Sequence, residues 1–405
     1  MKCRHCKNEL KYTFVDLGFA PPSNSYLTKP DLACPEKYYP LRIKVCDECW
    51  LVQTEDYTKA DELFDSNYAY FSSTSTSWLD HSAAYSRKII DRLKLSTDSL
   101  VVEIASNDGY LLKNFIMAGV PCFGIEPTAS TAEASERLGA EVIREFFSEN
   151  LAKKLQHKSK ADLIVGNNVY AHVPDLNDFT RGLKVLLKDD GVVTLEFPHL
   201  MQLLKNIQFD TIYHEHFSYL SLYTVNAIFK KFGLRVFDVE QLTTHGGSLR
   251  VYGCHDESEH KSLSSVEDLL KQEAEYGLQS LITYQNFQCK VDLIKNNLLE
   301  FLIARKKSGN SIAAYGAAAK GNTLLNYSGI KLDLINYVCD AAPSKQGHFM
   351  PGSHIPIKHP NYLVENKVDY LLILPWNIAS EVKKQLSLLG VTSKFLVAVP
   401  EIKIL

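Results

Sequence analysis

Between residues 100 and 250 short apolar runs alternate with amphipathic stretches. LVVEIA (100–105) reads as a buried strand, followed by an SNDG turn (106–109) and a helical segment to Ala118. PCFGIE (121–126) is a second strand, a helix is expected near 128–138, and ADLIVG (161–166) is a third strand. A helix near 175–187, a strand at VVTLEF (192–197) and a helix over 221–232 continue the series. This alternation of apolar runs with helical-period segments predicts β-α units around a largely parallel sheet.

The flanks behave differently. Residues 1–58 read as a small cysteine-bearing module, polar and turn-rich inside, with PPSN at 21–24 and one alternating piece, LRIKV (41–45), expected to be a strand. DSNYAYFSSTSTS (65–77) reads as a loop before a helix near 78–93. Residues 262–308 are helical in character. They lead into SIAAYGAAAKG (311–321) and three apolar runs, LINYVCD (334–340), YLLILP (370–375) and FLVAVP (395–400), which predict a second α/β unit. The expected division is 1–58, 59–250 and 251–405. The fold class is α/β, a Rossmann-like domain between an N-terminal metal-binding module and a second Rossmann-like domain.

Composition narrows the function. The 405 residues are 45% hydrophobic and 22% charged, ordinary for a globular protein of several domains. A formal net charge of -3 gives no electrostatic case for nucleic acid or an anionic membrane. The first residues carry no apolar signal-peptide core, and a cytoplasmic location is expected. Of nine cysteines, Cys3, Cys6, Cys46 and Cys49 form two C-x-x-C pairs. Two such turns supply four thiolates for a tetrahedral structural zinc, which would hold together a module too small to fold on its own core.

The turn after the first central strand holds Glu103, Ala105, Asn107, Asp108 and Gly109, and the second strand ends at Glu126. It lacks the glycines of a dinucleotide fingerprint, and acids stand where a pyrophosphate would go. A cationic adenosyl ligand fits better, and the sulfonium of S-adenosylmethionine is one. Glu126 is placed for a ribose, and Asn167 ends the third strand toward the same crevice.

IYHEHFSYL (212–220) concentrates Tyr213, His214, Glu215 and His216. Adjacent residues on an extended segment face opposite sides, and H-E-H is not the helical H-E-x-x-H of a zinc hydrolase, so a catalytic metal is a poor reading. His216 is a candidate general base that Glu215 or Tyr213 could orient. His214 reads as a core histidine. His172 follows the third strand, His245 and Gly246 lie on a glycine-rich turn, and Tyr68 and Tyr70 lie in the loop ahead of the sheet.

Together these pieces resemble the sugar C-methyltransferases that use S-adenosylmethionine on nucleotide-linked 4-keto-deoxysugars. The resemblance spans essentially the full length. It rests on the two cysteine pairs, EIASNDG (103–109), GIEP (124–127), AHVP (171–174), IYHEHF (212–217), HGGS (245–248), YGAAAK (315–320) and GSHIP (352–356). It implies His216 as base, with Tyr213, Glu215, His172 and Tyr70 around the sugar, and His245, Gly246 and Lys320 toward the nucleotide. Ala105 and Ser106 depart from the glycine-containing turn of many methyltransferases. An O- or N-methyltransferase on another small molecule and a zinc-ribbon scaffold remain alternatives at this point.

Overall fold

The computed structural model describes residues 1–57 and 71–405. Strands are numbered along the chain. The N-terminal sheet is antiparallel, in the order β1-β2-β3-β9. Its strands are β1 (Tyr12–Ala20), β2 (Tyr39–Val45), β3 (Val52–Thr54) and β9 (Ser218–Tyr219), the last contributed by the residues just after the H-E-H segment. The module is therefore less turn-rich than its sequence suggests. β1 escapes a period-two reading because its register against β2 slips between Thr13 and Val15 and again between Asp16 and Phe19.

The central sheet has seven strands in the order β10-β11-β8-β7-β4-β5-β6. β4 (Val101–Ile104), β5 (Cys122–Ile125), β6 (Glu141–Ile143), β7 (Ala161–Asn167) and β8 (Leu187–Pro198) run parallel. β10 (Leu234–Leu242) and β11 (Ser248–His255) add an antiparallel hairpin, so the sheet continues to His255. Leu163, Ile164 and Val165 of β7 are fully buried, as strands covered on both faces must be. The preceding helix (Thr76–Leu93) starts where the Ser75 side chain accepts a hydrogen bond from the Trp78 N–H.

The C-terminal sheet has six strands in the order β14-β13-β12-β15-β16-β17. They are β12 (Ile312–Tyr315), β13 (Val338–Cys339), β14 (Ile357–Lys358), β15 (Tyr370–Ile373), β16 (Lys394–Val397) and β17 (Lys403–Ile404). Of the apolar run 334–340, only Val338–Cys339 is strand. The expected long helical stretch is three helices, Ser264–Tyr276, Leu281–Gln285 and Phe287–Lys307, the first ended by Gly277 at φ 89°. Among the described residues no helix is long and apolar enough to cross a membrane.

In each α/β sheet the first strand has neighbours on both sides. β4 lies between β5 and β7, and β12 between β13 and β15. Ligands in such sheets bind beyond the carboxyl end of that reversal point. Residues from both reversal points line one cavity of about 1150 Å³.

Candidate active site

The crevice of the central sheet is built from a strained turn. Ala105 and Asn107 are left-handed at φ 57° and 48°, ahead of Gly109 at 76°. Ala105 thus adopts a conformation that glycine favours, a cost of order 1 kcal/mol or more for a residue with a Cβ. The Ala105 N–H donates to the Ile125 carbonyl at 2.7 Å. Gly124 is needed because a Cβ there would stand 2.2 Å from Ser106 Oγ. The Glu126 carboxylate accepts from the Asn107 N–H at 3.0 Å and the Thr128 N–H at 2.9 Å. Burial pushes its pKa up, and those two N–H groups only partly offset the effect. Glu103 is fully buried behind the turn, its carboxyl held well above the usual range by burial, against the opposing pull of the Tyr110 hydroxyl.

Ala105, Asn107, Glu126 and Asn167 line the cavity. Both amide atoms of Asn167 are buried without a hydrogen-bond partner among the described residues. Glu103, Asp108 and Gly109 lie outside the lining and support the turn. Asp108 accepts from the Ser73 N–H at 3.1 Å and Asn107 from the Ser72 N–H at 2.9 Å, tying the turn to the segment before helix 76–93.

The H-E-H segment is a turn, closed by a hydrogen bond from the His216 N–H to the Tyr213 carbonyl at 3.0 Å. The turn regroups the side chains. Tyr213 and His216 come together, ring centroids 4.0 Å apart, and both line the cavity. Glu215 turns toward the N-terminal module, where Asn24 donates to it at 3.3 Å. Burial pushes the Glu215 carboxyl up to about 7. His214 is buried with its ring centroid 6.0 Å from that of Tyr39, outside the cavity lining, in keeping with a core histidine.

His216 Nδ1 lies 2.8 Å from the Thr211 carbonyl oxygen. A carbonyl only accepts, so Nδ1 carries the proton and Nε2 keeps the lone pair. Burial, with His172 nearby, holds the ring's pKa well below 6.5, so it is neutral at cellular pH. His172 is 4.7 Å from it, ring to ring, and also lines the cavity. Burial pulls His172 down to about 4, opposed by its hydrogen bond to the Glu215 backbone.

His245 and Lys320 also line the cavity. His245 Nε2 lies 3.1 Å from Asn168 Nδ2, and burial lowers its pKa to about 4. Gly246 is not in the lining. It leaves room for Trp376, whose ring would meet a Cβ there at 2.4 Å. Lys320 donates to Asn377 at 2.7 Å and lies 4.8 Å from the Trp376 ring centroid. Trp376 Nε1 in turn donates to buried Asp210 at 2.6 Å. Tyr70 and Tyr68 lie outside the described residues. Asp210 and Trp376 were missed from sequence. Trp376 follows an apolar strand and could have been flagged by the strand-end rule, whereas Asp210 carries no local signal.

Away from the cavity, the sulfurs of Cys3, Cys6, Cys46 and Cys49 lie within 4.8 Å of one another. Cys3 to Cys49 is 3.6 Å and Cys6 to Cys46 is 3.5 Å, near the roughly 3.8 Å edge of a tetrahedral zinc site. These residues fit a structural zinc with no open position.

Family models match in three pieces: a putative zinc binding domain over 3–64, a methyltransferase domain over 78–239 and a C-methyltransferase C-terminal domain over 243–400. The C-methyltransferase NovU of Streptomyces niveus is 33% identical over 406 residues, covering 100% of this chain and 96% of that protein. The chain belongs to the C-methyltransferase family. It is an S-adenosylmethionine-dependent C-methyltransferase. Among solved structures, magnesium protoporphyrin IX methyltransferase of Synechocystis PCC 6803 is 14% identical over 44% of this chain and 77% of its own, with a TM-score of 0.33. A SAM dependent methyltransferase of Archaeoglobus fulgidus is 18% identical over 40% and 71%, with a TM-score of 0.35. Likeness at that level adds nothing to the assignment. Within the family the left-handed turn, Glu126 and the partnerless Asn167 amide suit a cofactor with an adenosyl end and a positively charged sulfur.

Proposed function

We propose that this C-methyltransferase acts on a ring carbon, C-3 on the resemblance set out above, of a nucleotide-linked 4-keto-deoxysugar. The observation that carries the reading is that His216, its tautomer fixed by Thr211, opens on the same cavity as the Asn107–Glu126–Asn167 crevice. A C–H next to a ketone is acidified by it, and His216 Nε2 takes that proton. Negative charge then collects on the keto oxygen. Neutral His172 has one N–H, and its hydrogen bond to the Glu215 backbone uses it. Among the described residues Tyr213, beside His216, is then the donor to that oxygen, with Tyr70 the other candidate, and such a donor is worth about 3 kcal/mol in the transition state. Glu215 acts from behind, shaping the turn. Ala105, Asn107, Glu126 and Asn167 hold S-adenosylmethionine, supported by Glu103, Asp108 and Gly109. When bound, the cofactor supplies an electrophilic methyl group for the carbanionic carbon.

The substrate's diphosphate faces the part of the lining that the C-terminal sheet supplies. There Lys320 stands in the first turn of helix Ala319–Ser328, and helix Ala379–Leu388 begins beside Trp376 and Asn377. Helix starts and an ammonium group both favour an anion. His245 and, through Trp376, Gly246 shape the floor between the walls. The partner is a small molecule, with neither nucleic acid nor membrane involved, and the reduced thiolate cluster suits a cytoplasmic setting.

The test is hydrogen exchange at carbon. With a 4-keto nucleotide-sugar in deuterated water the protein should place deuterium beside the ketone. His216→Asn should lose this exchange and about 10²- to 10⁴-fold in kcat while still binding S-adenosylhomocysteine. Exchange that persists in His216→Asn, or no exchange and no product with any 4-keto sugar, overturns the reading.

A further inference from the structure

The two residues between Cys3 and Cys6 do more than space the thiolates. Arg4 is buried, and its guanidinium reaches in two directions. Nη1 donates to the Pro174 carbonyl at 2.9 Å, and Pro174 lines the cavity two residues after His172. Nη2 donates to the Thr54 carbonyl at 3.1 Å and to Asp56 at 2.7 Å. The guanidinium carbon sits 5.3 Å from the ring centroid of Phe217, the neighbour of His216. The Thr54 N–H donates to the Phe217 carbonyl at 3.1 Å, and β3 pairs with β9 just beyond.

The other end of this chain of contacts is the metal cluster. The Arg4 N–H donates to Gln53 Oε1 at 2.9 Å, and Gln53 Nε2 donates to the Cys3 sulfur at 3.2 Å. Asn177 fixes the same knuckle from the central domain. Its Nδ2 donates to the His5 carbonyl at 2.9 Å and its Oδ1 lies 2.8 Å from His5 Nδ1. An unbroken line of hydrogen bonds thus runs from a thiolate to the segment 171–175 and to the strand beside His216.

We propose that Arg4 is a positioning residue, which transmits the fixed geometry of the four-cysteine cluster to the two cavity walls carrying His172 and His216. This rests on the reading of those walls as the reaction site. The role calls for arginine. Only a planar fork can serve Pro174 on one nitrogen and Thr54 and Asp56 on another while its face covers Phe217. Lysine keeps the charge but offers one compact ammonium.

The experiment compares Arg4→Lys and Arg4→Gln with the zinc-loaded wild type, and uses Asn177→Ala as a second route to the same knuckle. Four things are measured: zinc content, S-adenosylhomocysteine affinity, kcat against KM, and backbone hydrogen exchange by mass spectrometry. The expected result is unchanged zinc and cofactor affinity, and kcat lowered about 10- to 100-fold in both Arg4 variants, with lysine giving no rescue. Exchange should quicken in 171–175 and 213–219 but not in 161–167. Wild-type kcat and exchange in both Arg4 variants would overturn the proposal. So would loss of zinc or a uniform rise in exchange along the chain, since Arg4 would then only be holding the module together. Should Arg4→Gln not fold, Arg4→Lys and Asn177→Ala decide by the same pattern. The exchange pattern needs no substrate, so it separates failure of this proposal from failure of the sugar reading.

Discussion

The two α/β sheets use the same device at the same place and give it opposite electrical character. At the first, Glu126 accepts the Asn107 and Thr128 backbone N–H groups. At the second, Asp340 accepts the Ala317 N–H at 2.6 Å and the Ala342 N–H at 2.7 Å. In both, an acid at the end of the neighbouring strand pins the turn after the first. The surroundings then diverge. Glu103 and Asp108 crowd the first turn, and Lys320 and Lys345 stand at the second, where Lys345 donates to the Ala317 carbonyl at 2.8 Å. One framework, repeated, thus brings the Glu126 carboxyl from one turn and Lys320 and Lys345 from the other to a single cavity. Under the proposed reading the first faces a cationic cofactor and the second an anionic substrate, and the Tyr213–His216 turn lies between them.

The largest effect expected from breaking this pairing is at Glu126. Glu126→Ala should weaken S-adenosylhomocysteine binding about 100-fold by calorimetry, since two hydrogen bonds to a charged group go at once, and leave nucleotide-sugar binding in place. Asp340→Ala should do the reverse, weakening the nucleotide-sugar about 10-fold with cofactor binding intact. If either change weakens both ligands alike, the walls do not divide the work. Next comes Lys320→Met, which should raise KM for the nucleotide-sugar about 10-fold, with the loss shrinking as salt is added and Lys320→Arg recovering most of it.

A stability measurement sharpens the middle ground. The Glu215 carboxyl is raised in the fold from 4.5 to about 7, so it favours the folded state at low pH, and that contribution is lost as pH rises from 4.5 through 7. Relative to Glu215→Gln, the wild type should lose up to about 3 kcal/mol of stability between pH 4.5 and 8 in chemical denaturation. A parallel pH dependence in both proteins would show that Glu215 stays solvated.

Much of the central domain was legible because parallel strands advertise themselves as apolar runs. The helix expected near 128–138 is Ala129–Arg137, and the one expected over 221–232 is Leu222–Lys231. The two cysteine pairs were legible because four thiolates at that spacing have few other uses. β1 was not, since two register slips erase its alternation. The grouping within Tyr213–His216 was not, since it depends on whether the segment is extended or turned. The left-handed Ala105 shows that a missing glycine need not mean a missing turn. Asp210 and Trp376, 166 residues apart in sequence, meet only through the docking of two domains, and no local pattern records that.

The Thr323 hydroxyl donates to the Ile212 carbonyl at 2.8 Å, and the Asn322 amide donates to the Ser23 carbonyl at 2.6 Å. One helix of the last sheet therefore underpins both the segment that carries His216 and the cysteine module. Substrate range in this scaffold is accordingly not a cassette. A chimera that grafts another C-terminal half after residue 250 must bring a hydroxyl to position 323 and an amide to position 322, or it rebuilds the loop it meant to leave alone.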